Sequence, residues 1–237
     1  MPRHTQEIPQ YYFAFGSNMH LTQMASRCPN SGVFARGILR GYRWQINQRG
    51  VANIVRCKRS EEPQSVVEGI LFTVSSSDVR ALDRSEGISK QFYDKALWRV
   101  DVEPLAVPEL EGEPTALAAE KLKVLQAQKP SSAREGTGVE QVEALVYLSG
   151  LFRKDGLIRN EYVQRMELAM SDASKLGVSE KYLQESLYPF VFGEGPAMVS
   201  PAQPAQEEVD EKQGKGCGSP EDNELGQGRT EESESKS

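Results

Sequence analysis

Most apolar residues of this 237-residue chain fall in short runs separated by glycine, proline or polar turns, and that spacing constrains the fold more than any single motif. The runs are "YYFAF" (11–15), "GVFARGILRGYRWQIN" (32–47), "VANIVRC" (51–57), "SVVEGILFTVS" (65–75), "YDKALWRVDVE" (93–103) and "VEQVEALVYLS" (139–149). They are rich in β-branched and aromatic residues. The fifth alternates Ala96, Trp98, Val100 and Val102 on one face, the period of a half-buried strand. The second reads as one bent strand or two, with Gly37 and Gly41 marking bulges. Helical patterns are fewer. One covers 20–28 and stops at Pro29; another starts from Ser76 or Ser77 as N-cap and ends at Gly87. A third, 158–177, puts Tyr162, Met166 and Ala169 on one face, and a shorter one covers 179–188. Strands that mostly follow one another in sequence predict an α+β fold: a small six-stranded, barrel-like curved sheet with flanking helices.

Two stretches break the pattern. Residues 104–138 are poor in aromatics and bounded by Pro and Gly, and read as a flexible insert, with a short helix near 116–128 as the alternative. Residues 195–237 read as a disordered acidic tail. From position 201 onward ten Asp/Glu face four Lys/Arg, which accounts for the whole net charge of −6 and leaves the first 200 residues balanced. The expected organisation is a flexible N-terminus (1–10), one domain (11–194) carrying the insert, and the tail. A neutral body lacks the basic stripe of a nucleic-acid binder. No apolar run approaches the roughly 18–20 residues that span a bilayer. Three widely spaced cysteines, Cys28, Cys57 and Cys217, fit a reducing compartment. The expectation is a cytoplasmic monomer or homodimer with neither nucleic acid nor membrane as partner.

The catalytic inventory is narrow. Only His4 and His20 are present, no Cys/His cluster has metal spacing, and neither GxxxxGK[ST] nor GxGxxG occurs. Metal and cofactor chemistry therefore lack parts, and a carboxylate is the natural acid/base. Two motifs stand out. In "FGSN" (15–18), Gly16 allows a tight turn whose backbone N–H groups form a nest for an anion, with Ser17 and Asn18 able to cap or donate. In "LDRSEGISKQFY" (82–93), Glu86 sits at a helix C-terminus ahead of Phe92 and Tyr93. There the helix dipole and apolar neighbours both push a carboxylate pKa upward, toward useful acid/base chemistry. Asp83 and Glu103 are rival carboxylates on the same reasoning.

In this order and strand context the two motifs resemble the γ-glutamylcyclotransferase family: an aromatic strand, [YF]GSN, a Glu-Gly after a Leu-Asp helix, and a Tyr heading the next strand. The resemblance runs from about residue 11 to 191, without 104–138. It implies a small six-stranded barrel with a pocket at one end. It also implies cyclisation of a γ-glutamyl amino acid or peptide to 5-oxoproline with release of the free amino acid, without metal or cofactor. By the same resemblance, Tyr12, Phe13, Ala14, Phe15, Gly16 and Ser17 would hold the γ-glutamyl group and Glu86 would be the catalytic acid/base. Tyr162 would close the pocket and Tyr93 would flank it, while Asn18 completes the motif without an assigned role. Phe15 departs from the commoner Tyr and removes one hydroxyl. Two alternatives keep the scaffold: the same chemistry on glutathione adducts in sulfur-metabolite biosynthesis or detoxification, and a catalytically silent γ-glutamyl-binding module.

Overall fold

The computed structural model describes residues 10–58, 65–125 and 140–193. The expected N-terminal segment up to residue 9 and the tail 195–237 lie outside the described residues. Among the described residues seven strands form: β1 (Gln10–Ala14), β2 (Gly32–Arg40), β3 (Tyr42–Ile46), β4 (Ala52–Arg56), β5 (Val66–Val74), β6 (Asp94–Glu103) and β7 (Gln141–Leu148). Five of them close a barrel in the order β1-β5-β2-β6-β7, with β1 and β7 parallel and the other pairs antiparallel. β3 and β4 form a separate two-stranded sheet. The α+β barrel with flanking helices is thus present, closed by five strands rather than six, because the run 32–47 divides at Gly41. There φ is +79°, a left-handed conformation that turns the chain out of the barrel and into the hairpin.

Register decides what faces the barrel axis. Phe13, Leu71, Ala144 and Val146 share one face, and Tyr12, Phe72, Leu145 and Tyr147 share the other. A Cβ at Gly37 would lie 2.8 Å from both the Phe13 ring and Val100, so strands β1, β2 and β6 meet around the Phe13 ring inside the barrel. Gly37 is therefore small to admit that ring and not a bulge; the register shift in β2 falls between Val33 and Ala35. Fully burying an aromatic such as Phe13 stabilises by roughly 1.5–3 kcal/mol.

The helices are α1 (Leu21–Arg27), α2 (Ser76–Ser85), α3 (Thr115–Val124) and α4 (Asn160–Leu176). A terminal run, Glu180–Tyr182, Leu183–Leu187 and Tyr188–Val191, follows. α2 is capped one residue earlier than expected, by Ser75. Only Ser75 stands three residues before Asp78, and the two exchange side-chain-to-backbone hydrogen bonds in a capping box. α4 buries Tyr162, Met166 and Ala169 and stops at Gly177, as its pattern predicts.

Residues 104–125, expected to belong to a flexible insert, instead carry a 3-10 turn (Pro108–Leu110) and α3. Ala118, Ala119 and Leu122 are buried, and Thr115 anchors the helix start through its Oγ1 to Ser31 Oγ at 2.8 Å. Small apolar residues let α3 lie close to α1 without the aromatics that would have signalled a core element. Positions 126–138 lie outside the described residues. No helix among the described residues is long and apolar enough to cross a membrane.

Candidate active site

β1 ends where the fold opens a cavity of about 250 Å³. After Ala14 the chain passes through Phe15 and Gly16 into a 3-10 turn, Ser17–Met19, whose three residues are all buried. Space is tight at Gly16: a Cβ there would sit 3.1 Å from both Ala52 Cβ and Tyr162 Oη, so either side chain would have to give by a few tenths of an ångström. Several bonds fix the turn. Trp44 Nε1 donates to Phe15 O at 2.9 Å, and Arg165 Nη2 and Gln23 Nε2 donate to Ser17 Oγ at 2.7 and 3.0 Å. The Ser17 N–H donates to Tyr162 Oη at 3.3 Å, a long bond that a ligand oxygen could replace.

Across the cavity, α2 delivers Glu86 as its C-cap, and Gly87 reverses the chain at φ +68°. The Glu86 side chain is only 16 % exposed. Desolvation pushes its pKa above the usual carboxylate range, against the lowering pull of Arg27, the Asn18 hydrogen bond, Arg165 and Arg49. Asn18 joins the two motifs, 68 residues apart: its Nδ2 lies 2.8 Å from Tyr12 Oη and 3.2 Å from Glu86 Oε1. Its Oδ1 accepts from Arg27 Nη1 at 2.8 Å and Gln23 Nε2 at 2.9 Å, which sets the amide orientation. Burial likewise raises the Tyr12, Tyr93 and Tyr162 phenols, so these hydroxyls stay protonated as donors.

Of the residues expected at the site, Tyr12, Phe15, Gly16, Ser17, Asn18, Glu86, Tyr93 and Tyr162 line the cavity; Phe13 and Ala14 do not. Strand alternation sends Phe13 into the barrel, and Ala14 is buried beside Ile70 on β5. Tyr93 donates to Ala52 O and so ties the hairpin to the cavity. The rival carboxylates are placed elsewhere: Asp83 accepts from Tyr147 Oη and Lys95, and Glu103 pairs with Arg36.

The sequence reading missed the arginines. Arg27, Arg49, Arg159 and Arg165 all line the cavity, against Glu86 as the one acidic side chain. Arg159 and Arg165 lie three residues either side of Tyr162 on α4 and its N-cap, so helical spacing could have found them. Arg49 had no such signal. It sits in the tight 47–50 turn, with its guanidinium 3.6 Å above the Phe92 ring centroid and 5.3 Å from that of Phe152. Burial lowers its pKa. Among the described residues no three His, Cys, Asp or Glu side chains gather as a metal site requires.

The fold and site define a small α+β protein: a five-stranded barrel whose cavity sets a desolvated carboxylate against a small-residue turn. Sequence comparison then makes the assignment: residues 12–159 match the family described as gamma-glutamyl cyclotransferase, AIG2-like, and the chain belongs to it. Solved structures share the fold. One named gamma-glutamyl cyclotransferase is 15 % identical with a TM-score of 0.52, covering 75 % of this chain and 85 % of its own. An uncharacterised protein from Homo sapiens gives 16 % and 0.51, covering 75 % and 86 %. YkqA from Bacillus subtilis gives 16 % and 0.50 over 75 % of this chain and 52 % of its own. No curated protein is similar enough to count as a match.

Proposed function

We propose that this protein is a γ-glutamylcyclotransferase that converts a γ-glutamyl amino acid or peptide to 5-oxoproline and the free amino acid, with Glu86 as general acid/base. The observation that carries the reading is the Asn18 bridge, which holds Glu86 against the turn that follows β1. The substrate supplies its own nucleophile, so the histidine-poor inventory suffices. Glu86 takes a proton from the α-ammonium, and the freed amine attacks the γ-carbonyl carbon to form the lactam C–N bond. Collapse of the tetrahedral intermediate breaks the bond to the leaving nitrogen as Glu86 returns the proton. Of the three ammonium protons one stays on the lactam nitrogen and two pass to the leaving amine.

Gly16, Ser17 and Tyr162 hold the γ-glutamyl group, and the Ser17 N–H and Tyr162 hydroxyl face the developing oxyanion. Folding the substrate so that amine meets carbonyl contributes several kcal/mol through proximity. Burial raising the Glu86 pKa against the pull of Arg27, Asn18, Arg165 and Arg49 keeps it both basic enough to accept a proton and acidic enough to return it.

The test is 5-oxoproline release over a panel of γ-glutamyl amino acids, glutathione and glutathione S-conjugates. Turnover of the amino acid derivatives is expected. Preference for the conjugates moves the substrate to glutathione adducts, and tight binding without turnover makes the protein a binding module.

A further inference from the structure

Five described residues bury a side-chain nitrogen or oxygen without a hydrogen-bond partner: Gln45, Asn47, Arg49, Trp98 and Tyr182. Of these, Arg49 alone lines the cavity, and the orphaned atom is Nη1 of a permanently charged guanidinium. Arg49 as a whole is half-buried, but a charged guanidinium whose shielded Nη1 has no hydrogen-bond acceptor gains when an anion supplies one. Its guanidinium carbon lies 3.6 Å over the Phe92 ring centroid, and the side chain lines the cavity. Arg27 is hydrogen-bonded to Asn18 and near Glu86, and Arg165 to Ser17 and Gln23, while Arg159 reaches the exposed Glu161 at 3.8 Å.

The turn that carries Arg49 is held as firmly as a binding element requires. Asn47 Oδ1 accepts from the Arg49 N–H at 3.0 Å, Gly50 N closes the turn on Asn47 O at 2.8 Å, and Arg159 N donates to Gly50 O at 3.1 Å. Lys154 N is fixed by Gln48 Oε1 at 2.9 Å. Arg49 thus belongs to a different wall from the turn after β1.

We infer that Arg49 is a specificity residue that binds the carboxylate of the leaving amino acid, so that the site selects γ-glutamyl compounds whose leaving half is an acid over those whose leaving half is an amide or a simple amine. This rests on the cyclotransferase reading, in which the Gly16–Ser17 turn takes the γ-glutamyl half and Glu86 stands at the scissile bond. The leaving half then extends to the hairpin wall, where Arg49 Nη1 has no hydrogen-bond partner.

The test compares γ-glutamyl-alanine with γ-glutamyl-alaninamide, which differ only in the leaving carboxylate. The wild-type protein is expected to favour the acid by about 10- to 100-fold in kcat/KM, the size of one charge-assisted hydrogen-bond pair, and mainly through KM. Arg49→Gln brings the ratio to about one, and Arg49→Lys, which keeps charge without the fork, restores part of it. An unchanged ratio in Arg49→Gln overturns the inference; if both compounds also lose activity equally, Arg49 holds the α-carboxylate common to both. Calorimetric binding of the same pair separates the two readings. A wild-type protein that forms no 5-oxoproline yet binds the acid more tightly, with the preference lost in Arg49→Gln, keeps the subsite and removes the reaction.

Discussion

Tyr12 and the turn at 15–18 hang from β1, a strand paired on both edges within a closed barrel, whereas Arg49 hangs from a hairpin that shares no ladder with the barrel. Backbone hydrogen bonds and a packed interior hold the first wall. The hairpin wall is held outside any barrel ladder, by side chains reaching across (Tyr93 to Ala52 O, Trp44 to Phe15 O, and Asn53 to the backbone of Ser149 and Phe152) and by isolated backbone bonds such as Gly156 N to Ile46 O and Arg159 N to Gly50 O. Tyr42 adds an edge contact to Trp98 of the barrel at 5.4 Å. The chemistry proposed for Glu86 faces the rigid wall, and the discrimination inferred for Arg49 sits on the separately anchored one. A scaffold divided in this way can alter what it accepts without disturbing what it does, because the hairpin can change while the barrel ladders stay intact.

The largest effect expected from breaking this division lies on the Glu86 side. Glu86→Gln is nearly isosteric and keeps an acceptor for Asn18, but it cannot exchange protons. It should cut 5-oxoproline release by about 10²- to 10⁴-fold, the usual contribution of a general acid/base, while leaving substrate binding largely intact. Wild-type turnover in this variant would remove Glu86 from the mechanism. The same pair of proteins gives a stability test. The folded pKa of Glu86 lies above its unfolded value, so its contribution is fully present below the ordinary carboxylate pKa of about 4.5 and is lost as pH rises through the folded value. The stability of the wild type relative to Glu86→Gln should therefore fall with rising pH from about 4.5 upward. A difference that grows with pH means that Arg27 and Asn18 outweigh desolvation.

The second effect is on the hairpin wall. Asn53 is fully buried, donates to Ser149 O and Phe152 O at 3.2 and 3.1 Å, and accepts from Ser149 N at 2.8 Å. Asn53→Ala strands those backbone groups and should cost about 2–4 kcal/mol in urea unfolding. The loss should exceed that of any single exposed hairpin contact. A change under about 0.5 kcal/mol, the scale of ordinary surface substitutions, would show that the 149–152 segment is not what holds the hairpin.

What could be read from sequence follows the same line. The barrel wall is written locally: an aromatic strand, Gly-Ser-Asn and a helix ending in Glu-Gly are each contiguous, and strand period and capping chemistry expose them. The resemblance assigns Phe13 and Ala14 to the γ-glutamyl group along with their neighbours, whereas alternation along β1 sends Phe13 the other way from Tyr12. Arg49 was not legible, since an arginine that lines a cavity from a turn has the same sequence signature as a solvated one. Its role comes from Phe92, 43 positions on in the chain, and from a hairpin whose separation from the barrel depends on one glycine. α3 was hidden for a related reason: alanines pack by closeness rather than by bulk.

The smallest expected effect sharpens the comparison by its size. Arg43 on β3 and Asp155 form a bidentate ion pair at 3.0 and 3.3 Å that joins the hairpin to the same 149–159 segment Asn53 grips. Their side chains are 46 % and 35 % exposed, so water and salt screen the attraction, and holding two long side chains in place offsets much of what remains. Arg43→Ala should cost no more than about 0.2–1 kcal/mol, and less in high salt. If it matches Asn53→Ala, the hairpin is held by surface electrostatics, and the acid-over-amide preference should then weaken as ionic strength rises even with Arg49 intact. If it stays small while Asn53→Ala is large, the wall that carries Arg49 is fixed by buried amide bonds that salt does not reach.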